Sequence, residues 1–297
     1  HRVDLEREVD LIEEVGRIHG YDRLISQSPR AVVRVGRKDP TEQIKDRVRD
    51  SLVGQGMAEV MTDGFDHRAW RERLGMPEDD LIRIVNPMSQ ASAALRHSLI
   101  PDLLHVVETN LRQGVDGGML FEWSRTFTAS RGEEETLAGV LFGRTGRPLR
   151  GKEMVSLPLA KGILDSLFDR LRLPRLSTLS GDLPRFLHPH QAVRLACGEH
   201  EIGLLGSLHA SLMDSFPLRL PIVVFELRAS VLVSNAKQAV HVQPVSAFPA
   251  SKRGLSVSAP KRLAEERIRE ALLAESCVES VSLYDRYQGQ PVPEDQV

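Results

Sequence analysis

Six carboxylates crowd the start of the chain: Asp4, Glu6, Glu8, Asp10, Glu13 and Glu14. Asp10, Glu13 and Glu14 are spaced i, i+3 and i+4, so a helix places them on one face. Such a face is either solvated or a site for a hard cation. Mg²⁺ takes oxygen ligands in an octahedron and keeps several waters, so an array of acids suits it. Repulsion between Asp10 and Glu14 costs a helix roughly 0.2–0.5 kcal/mol, which a cation offsets. The helix dipole stabilises the same acids near the N-terminus without any metal. Spacing alone leaves both readings open.

Other residues invite chemistry less strongly. His188-Pro189-His190 sets two imidazoles two apart, but the proline is expected to break the alternation that would point them the same way. No adjacent Cys or acid pair completes a zinc set, so a loop histidine satisfying local backbone groups is the plainer reading. Glu122 and Arg125 stand in Phe121-Glu122-Trp123-Ser124-Arg125, and no phosphate-cradling GxxxxGK[ST] loop accompanies them. Lys252, Arg253, Lys261 and Arg262, with Arg267 and Arg269, are of the right type to meet RNA phosphates. Glu265, Glu266 and Glu270 are interleaved with them, as on an ordinary charged surface. Tyr284 and Tyr287 either stack on bases or pack into a sheet.

The elements that must position these residues follow from periodicity. Leu5, Val9, Ile12, Val15 and Ile18 form an apolar arc opposite the acids, ending at Gly20. Residues 25–38 read as a linker with one short strand near Val32. Asp39-Pro40 opens a helix with Ile44, Val48, Leu52 and Val53 on its inner face. Strands are expected over 59–65, 81–85, 119–127, 137–143, 193–196, 202–208 and 222–227, with helices from Pro101 and over 159–173. Glu133-Glu134-Glu135 reads as part of a charged turn. Beyond Pro244, Phe248 and Pro249, a strand (254–258), a helix (260–274) and a strand (278–284) give the order that begins a ferredoxin-like module. The class is α+β with a mixed or antiparallel sheet.

At 297 residues and 41% hydrophobic, the chain has material for about two domains. A net charge of −2 excludes a global basic field for nucleic acid. Cys197 and Cys277 are far apart, as in a reducing compartment.

Several stretches together resemble the β subunit of bacterial-type phenylalanyl-tRNA synthetase. They are Ile18-His19-Gly20-Tyr21-Asp22, Asn86-Pro87-Met88-Ser89, Leu95 to Pro101, Leu120 to Arg125, Phe186-Leu187-His188-Pro189, Gly203 to His209, Phe225-Glu226-Leu227, and Asp285 to Gly289. The order is kept over nearly the whole chain. Departures are Leu24-Ile25 after the Tyr-Asp turn, His190 at a usual glycine, and Ser207 and Ala210 around His209.

The resemblance implies the end of a winged-helix-like domain (1–36), an inactive class II aminoacyl-tRNA synthetase-like core (37–240), and the start of a truncated ferredoxin-fold anticodon-binding domain (241–297). The chain is accordingly expected to be an internal piece of a longer one. The resemblance also implies a cytoplasmic α2β2 assembly that uses ATP to charge tRNA(Phe), with the α subunit doing the catalysis and no catalytic residue here. Asp4, Asp10, Glu13 and Glu14 match the positions of Mg²⁺ ligands shared with that subunit. Lys252, Arg253, Lys261 and Arg262 are the RNA-binding candidates. A non-enzymatic scaffold that binds proteins or RNA through the same fold is the alternative; a self-sufficient ATP-using enzyme is a third reading.

Overall fold

The computed structural model describes residues 4–28, 30–32, 36, 38–89, 93–145, 153–217, 219–236, 247–288, 290, 293 and 295–297. Contacts divide the chain into two units, His1–Val240 and His241–Val297. Pro244 and residues 33–35, beside the strand expected near Val32, lie outside the described residues.

The first unit is built on a seven-stranded mixed sheet in the order β1-β2-β3-β7-β6-β5-β4. The strands are β1 (Ala58–Glu59), β2 (Gly117–Thr128), β3 (Gly132–Gly143), β4 (Leu176–Leu179), β5 (Leu187–Cys197), β6 (His200–Leu208) and β7 (Ile222–Arg228). β1 pairs parallel to β2, and every other pairing is antiparallel. The interior strand β3 is buried on both faces from Thr136 onward. Its Leu137 and Leu141 face one core, and its Ala138, Val140 and Phe142 face the other. That alternation is the period of two imposed by the pleat.

Helices cover both faces. On one side lie α2 (Pro40–Gly54), α5 (Leu157–Leu171) and α6 (Ala229–Asn235), contributing Ile44, Val48, Leu52, Leu164, Leu167 and Leu232. α2 starts where expected: Asp39 accepts the Thr41 amide hydrogen at 2.7 Å, and Pro40 occupies the first turn. On the other side, α3 (Arg68–Arg73) and α4 (Ile100–Arg112) bring Trp70, Leu103, Leu104 and Val107, all fully buried. α1 (Glu8–His19) buries no residue and leaves Val9, Leu11, Ile12, Val15 and Ile18 exposed.

Some expected elements differ. Of 59–65, Glu59 lies in the two-residue β1 and Phe65 makes an isolated bridge to Leu95, while 81–85 contributes one isolated bridge, Arg83 to Ala94. Glu133, Glu134 and Glu135 belong to β3 instead of a turn. Their charge is tolerated because Glu133 meets Arg125 at 3.1 Å and Glu135 meets Lys45 at 2.5 Å. The turn itself is Ala129-Ser130-Arg131, closed by Gly132 at φ +77°, a conformation a side chain would strain.

In the second unit, α7 (Glu265–Leu273) is the described helix. Neither 254–258 nor 278–284 pairs as a strand; the pairing present joins Ala259 to Val297 and Pro260 to Gln296. Leu255, Val257, Leu283 and Tyr284 remain exposed. Two strands without a covered apolar face do not hold a sheet in water, which accounts for the missing β-α-β unit.

Candidate functional site

Three of the quoted stretches, Leu95 to Pro101, Leu120 to Arg125 and Phe225 to Leu227, meet at the start of α4. Arg96 lies in the segment before α4, with its side chain 3% exposed. Its Nη2 donates to Glu122 Oε1 at 3.0 Å and to Ser124 Oγ at 2.6 Å, both on β2. Its Nη1 donates to Thr62 Oγ1 at 2.6 Å and reaches Asp102 Oδ2 at 3.3 Å; its Nε donates to the Arg125 carbonyl. Thr62 Oγ1 in turn donates to Glu122 Oε2 at 2.6 Å. The guanidinium therefore has a partner at each nitrogen.

A second link lies one turn on. Glu226 Oε1, from β7, accepts from Ser98 Oγ at 2.8 Å and from the Leu99 amide at 2.7 Å. This carboxylate thus serves an open amide at the start of α4, where no residue of the helix caps itself. Burial pushes the Glu226 carboxyl upward, against the hydrogen bonds that favour its charge. Between these two nodes in the sequence sits His97, whose ring nitrogens are both buried and have no hydrogen-bond partner among the described residues. Burial lowers its pKa, so the ring is held neutral.

A cleft of about 350 Å³ opens at the β2 edge, lined by Lys45, Thr62, Arg96, Trp123, Arg125 and Glu135. Its charges are spent within the chain. Lys45 pairs with Glu135 and Glu42, and its ammonium stands 5.9 Å from the Trp123 ring centre. Burial opposes the charge on Lys45, but those two carboxylates outweigh it and raise the pKa.

Glu122 and Arg125 are not partners of each other. Strand alternation turns them to opposite faces: Glu122 holds Arg96, and Arg125 holds Glu133 at the surface. Arg96, Asp102 and Glu226 were not marked by sequence as chemical residues. The available signal was Arg96 just ahead of the apolar start of α4, where a buried guanidinium needs a carboxylate partner.

Among the opening acids, Asp10 Oδ2 accepts the Glu6 and Arg7 amide hydrogens at 2.9 and 2.7 Å, closing the start of α1. Glu14 pairs with Arg17 at 2.6 Å. Asp4 and Glu13 are exposed. Among the described residues no three His, Cys, Asp or Glu side chains form a metal-binding group.

β5 continues through His188-Pro189-His190, against the expected break. The proline sits past the end of β4, where pairing with β6 also shifts register, so its missing N–H breaks no ladder bond. His188 Nδ1 accepts the His190 amide hydrogen at 3.2 Å, a local backbone role. Lys252, Arg253, Lys261 and Arg262 are exposed in the second unit. Arg269 is not available in the same way, because it pairs with Glu265 and donates to the Val281 carbonyl.

The family model described as the phenylalanyl tRNA synthetase beta chain CLM domain matches residues 24–229, most of the chain. The chain belongs to the phenylalanyl-tRNA synthetase β-chain family. It is 34% identical to the phenylalanine–tRNA ligase β subunit of Geobacter sulfurreducens, covering 99% of this chain and 38% of that protein. The β subunit of Moorella thermoacetica is 32% identical with the same coverage, and that of Geobacillus kaustophilus is 32% identical over 99% of this chain and 37% of its own. The chain thus spans under two fifths of the length of these phenylalanine–tRNA ligase β subunits. The matched region contains the whole Arg96 network.

Proposed function

We propose that the chain is part of a phenylalanine–tRNA ligase β subunit that supports a catalytic α subunit in the ATP-dependent charging of tRNA(Phe) with phenylalanine. The observation that carries this reading is the satisfied network around Arg96. In a catalytic cleft, polar groups are kept for substrate; here Arg96, Glu122, Thr62 and Ser124 bind one another. The sheet face beside them is closed by Leu103, Leu104 and Val107 of α4. The chain itself is then a non-catalytic class II-like core (37–240), preceded by the end of a winged-helix-like domain and followed by part of an anticodon-binding domain.

The assembly in this reading is a cytoplasmic α2β2 heterotetramer. No described helix is long and apolar enough to cross a membrane. Asp4, Asp10, Glu13 and Glu14 would take part in Mg²⁺ binding only with oxygen ligands from α. Lys252, Arg253, Lys261 and Arg262 would meet tRNA phosphates.

The test is co-expression of the full-length β chain with the α subunit of the same organism. A complex that aminoacylates tRNA(Phe), with no pyrophosphate exchange by β alone, supports the proposal. Absence of a complex supports the scaffold reading instead, and exchange by β alone overturns the non-catalytic assignment.

A further inference from the structure

His188-Pro189-His190 takes no part in the network around Arg96, yet the sheet sets it apart. Leu187 pairs with Leu208 and Ala192 with Gly206, so residues 188–191 of β5 stand against Ser207 alone on β6. A bulge leaves its extra residues outside the ladder and re-aims their side chains. At its base, a Cβ on Gly206 would stand 2.5 Å from that of Ala192, so the glycine lets the two strands close again directly after the bulge. His209, just past the end of β6, completes a trio of rings. Its ring centre lies 6.5 Å from that of His188, which lies 6.1 Å from that of His190. His190 is exposed, and His188 and His209 are half-buried.

Local hydrogen bonds decide what these rings offer. A neutral imidazole has one N–H donor and one bare nitrogen. His188 Nδ1 accepts the His190 amide hydrogen at 3.2 Å. His209 Nδ1 accepts the Ser211 amide hydrogen at 3.2 Å, with Ser211 Oγ at 2.8 Å. Both rings therefore use the bare nitrogen on their own backbone, and the proton stands on Nε2. A metal ion binds imidazole through a bare nitrogen, so these two rings hold out the wrong atom for it. An anion needs the N–H that they do hold out. Among the described residues no carboxylate pairs with any of the three rings. An N–H···O bond spans about 2.9 Å, so rings with centres this far apart reach different oxygens of one tetrahedral oxyanion.

We propose that His188, His190 and His209 bind a phosphate group. The Nε2–H donors of His188 and His209 take two of its oxygens, and His190 closes the site from the bulge. The chemistry is shared by free phosphate and by the diester of an RNA backbone, which keeps two unesterified oxygens. Binding makes and breaks no covalent bond. The site lies on β5 and β6, away from β2 and its cleft in the strand order, and uses none of the cations of the second unit.

Diethyl pyrocarbonate acylates accessible imidazole nitrogens, so peptide mass spectrometry reads the occupancy of each ring. The full-length β chain is treated near neutral pH with inorganic phosphate, with a mixed-sequence RNA oligonucleotide, with Zn²⁺, or with sodium chloride at matched ionic strength. Phosphate at a few times its dissociation constant should slow modification of His188 and His209 several-fold. His200, exposed at the other end of β6, should be modified at the same rate throughout. Protection by RNA at phosphate concentrations where inorganic phosphate gives none assigns the site to a polynucleotide backbone; the reverse assigns it to a small phosphate. His188→Asn combined with His209→Asn keeps a side-chain oxygen to accept the local amides but withdraws the outer N–H. That variant should lose the phosphate protection of His190. Equal modification in phosphate and chloride, protection by Zn²⁺ alone, or undiminished protection of His190 in the double variant overturns the proposal. The wild-type comparison decides even where the variant does not fold.

Discussion

Arg96 donates to Glu122 at 3.0 Å with both side chains 3% exposed, tying the chain that enters α4 to strand β2. Removing one partner of a buried pair leaves the other as an uncompensated charge, which costs about 3–5 kcal/mol. Arg96→Met is expected to destabilise the chain by that amount, with Glu122→Gln at the lower end because its amide still accepts a hydrogen bond. Arg96→Lys should not restore stability, since one ammonium cannot reach Glu122, Ser124, Thr62 and the Arg125 carbonyl together. Urea denaturation of the three variants checks this. A loss under 1 kcal/mol for Arg96→Met would mean that the pair is not what holds this junction.

Local signals and distant ones fared differently in the sequence. Asp39-Pro40 was readable because a cap and a first-turn proline act within three residues. Strands β2, β6 and β7 showed through their apolar runs. Glu133 and Glu135 misled because their neutralising partners, Arg125 of β2 and Lys45 of α2, come from other elements. The Arg96 network was hidden for the same reason: its members come from residue 62, the segment before α4 and β2, and no spacing rule connects them. In the tail, the period suggested strands, but Leu255 and Leu283 stay exposed. A pattern states which face wants burial; it does not supply what buries it.

Gly139 and Phe225 face each other across β3 and β7, and the aromatic ring fills the space a side chain would take. A Cβ at Gly139 would stand 2.4 Å from Phe225 Cε1 and Cζ and 3.0 Å from the Leu120 carbonyl oxygen. Gly139→Ala is therefore expected to cost about 1–3 kcal/mol through overpacking. Phe225→Leu should cost stability alone yet relieve part of the Gly139→Ala penalty, because the ring is the nearer obstacle. A double-mutant cycle by thermal or urea unfolding measures the coupling. Additive losses would show that the backbone oxygen, not the ring, sets the limit.

His97 gives stability a pH dependence of known sign. Its pKa is lowered from 6.5 by burial, so below about pH 6.5 the unfolded chain takes up a proton that the folded chain does not. Stability from this residue falls as the pH drops through that window. Asp102 and Glu226 act in the opposite direction, since their raised pKa values make the folded chain hold protons that the unfolded chain releases. The His97 effect is therefore read as a difference. His97→Leu should gain stability relative to wild type as pH falls from about 7 to 5, and it removes two buried nitrogens that lack partners. Denaturation curves of both chains at matched pH check this; a constant difference would show that His97 titrates alike in both states.

Lys252, Arg253, Lys261 and Arg262 are exposed, whereas Arg269 is tied to Glu265. If these four meet phosphates, each contact releases condensed counterions when RNA binds. The slope of log affinity against log salt then falls by about 0.7–0.9 for each contact removed, or about 3 for all four. The quadruple alanine variant of the full-length β chain, in complex with α, should show that shallower slope for tRNA(Phe). Arg269→Ala should leave the slope unchanged and instead weaken the helix that holds Glu265. Fluorescence titrations from low to moderate salt give both slopes. An unchanged slope in the quadruple variant would place the RNA-facing cations elsewhere on the protein.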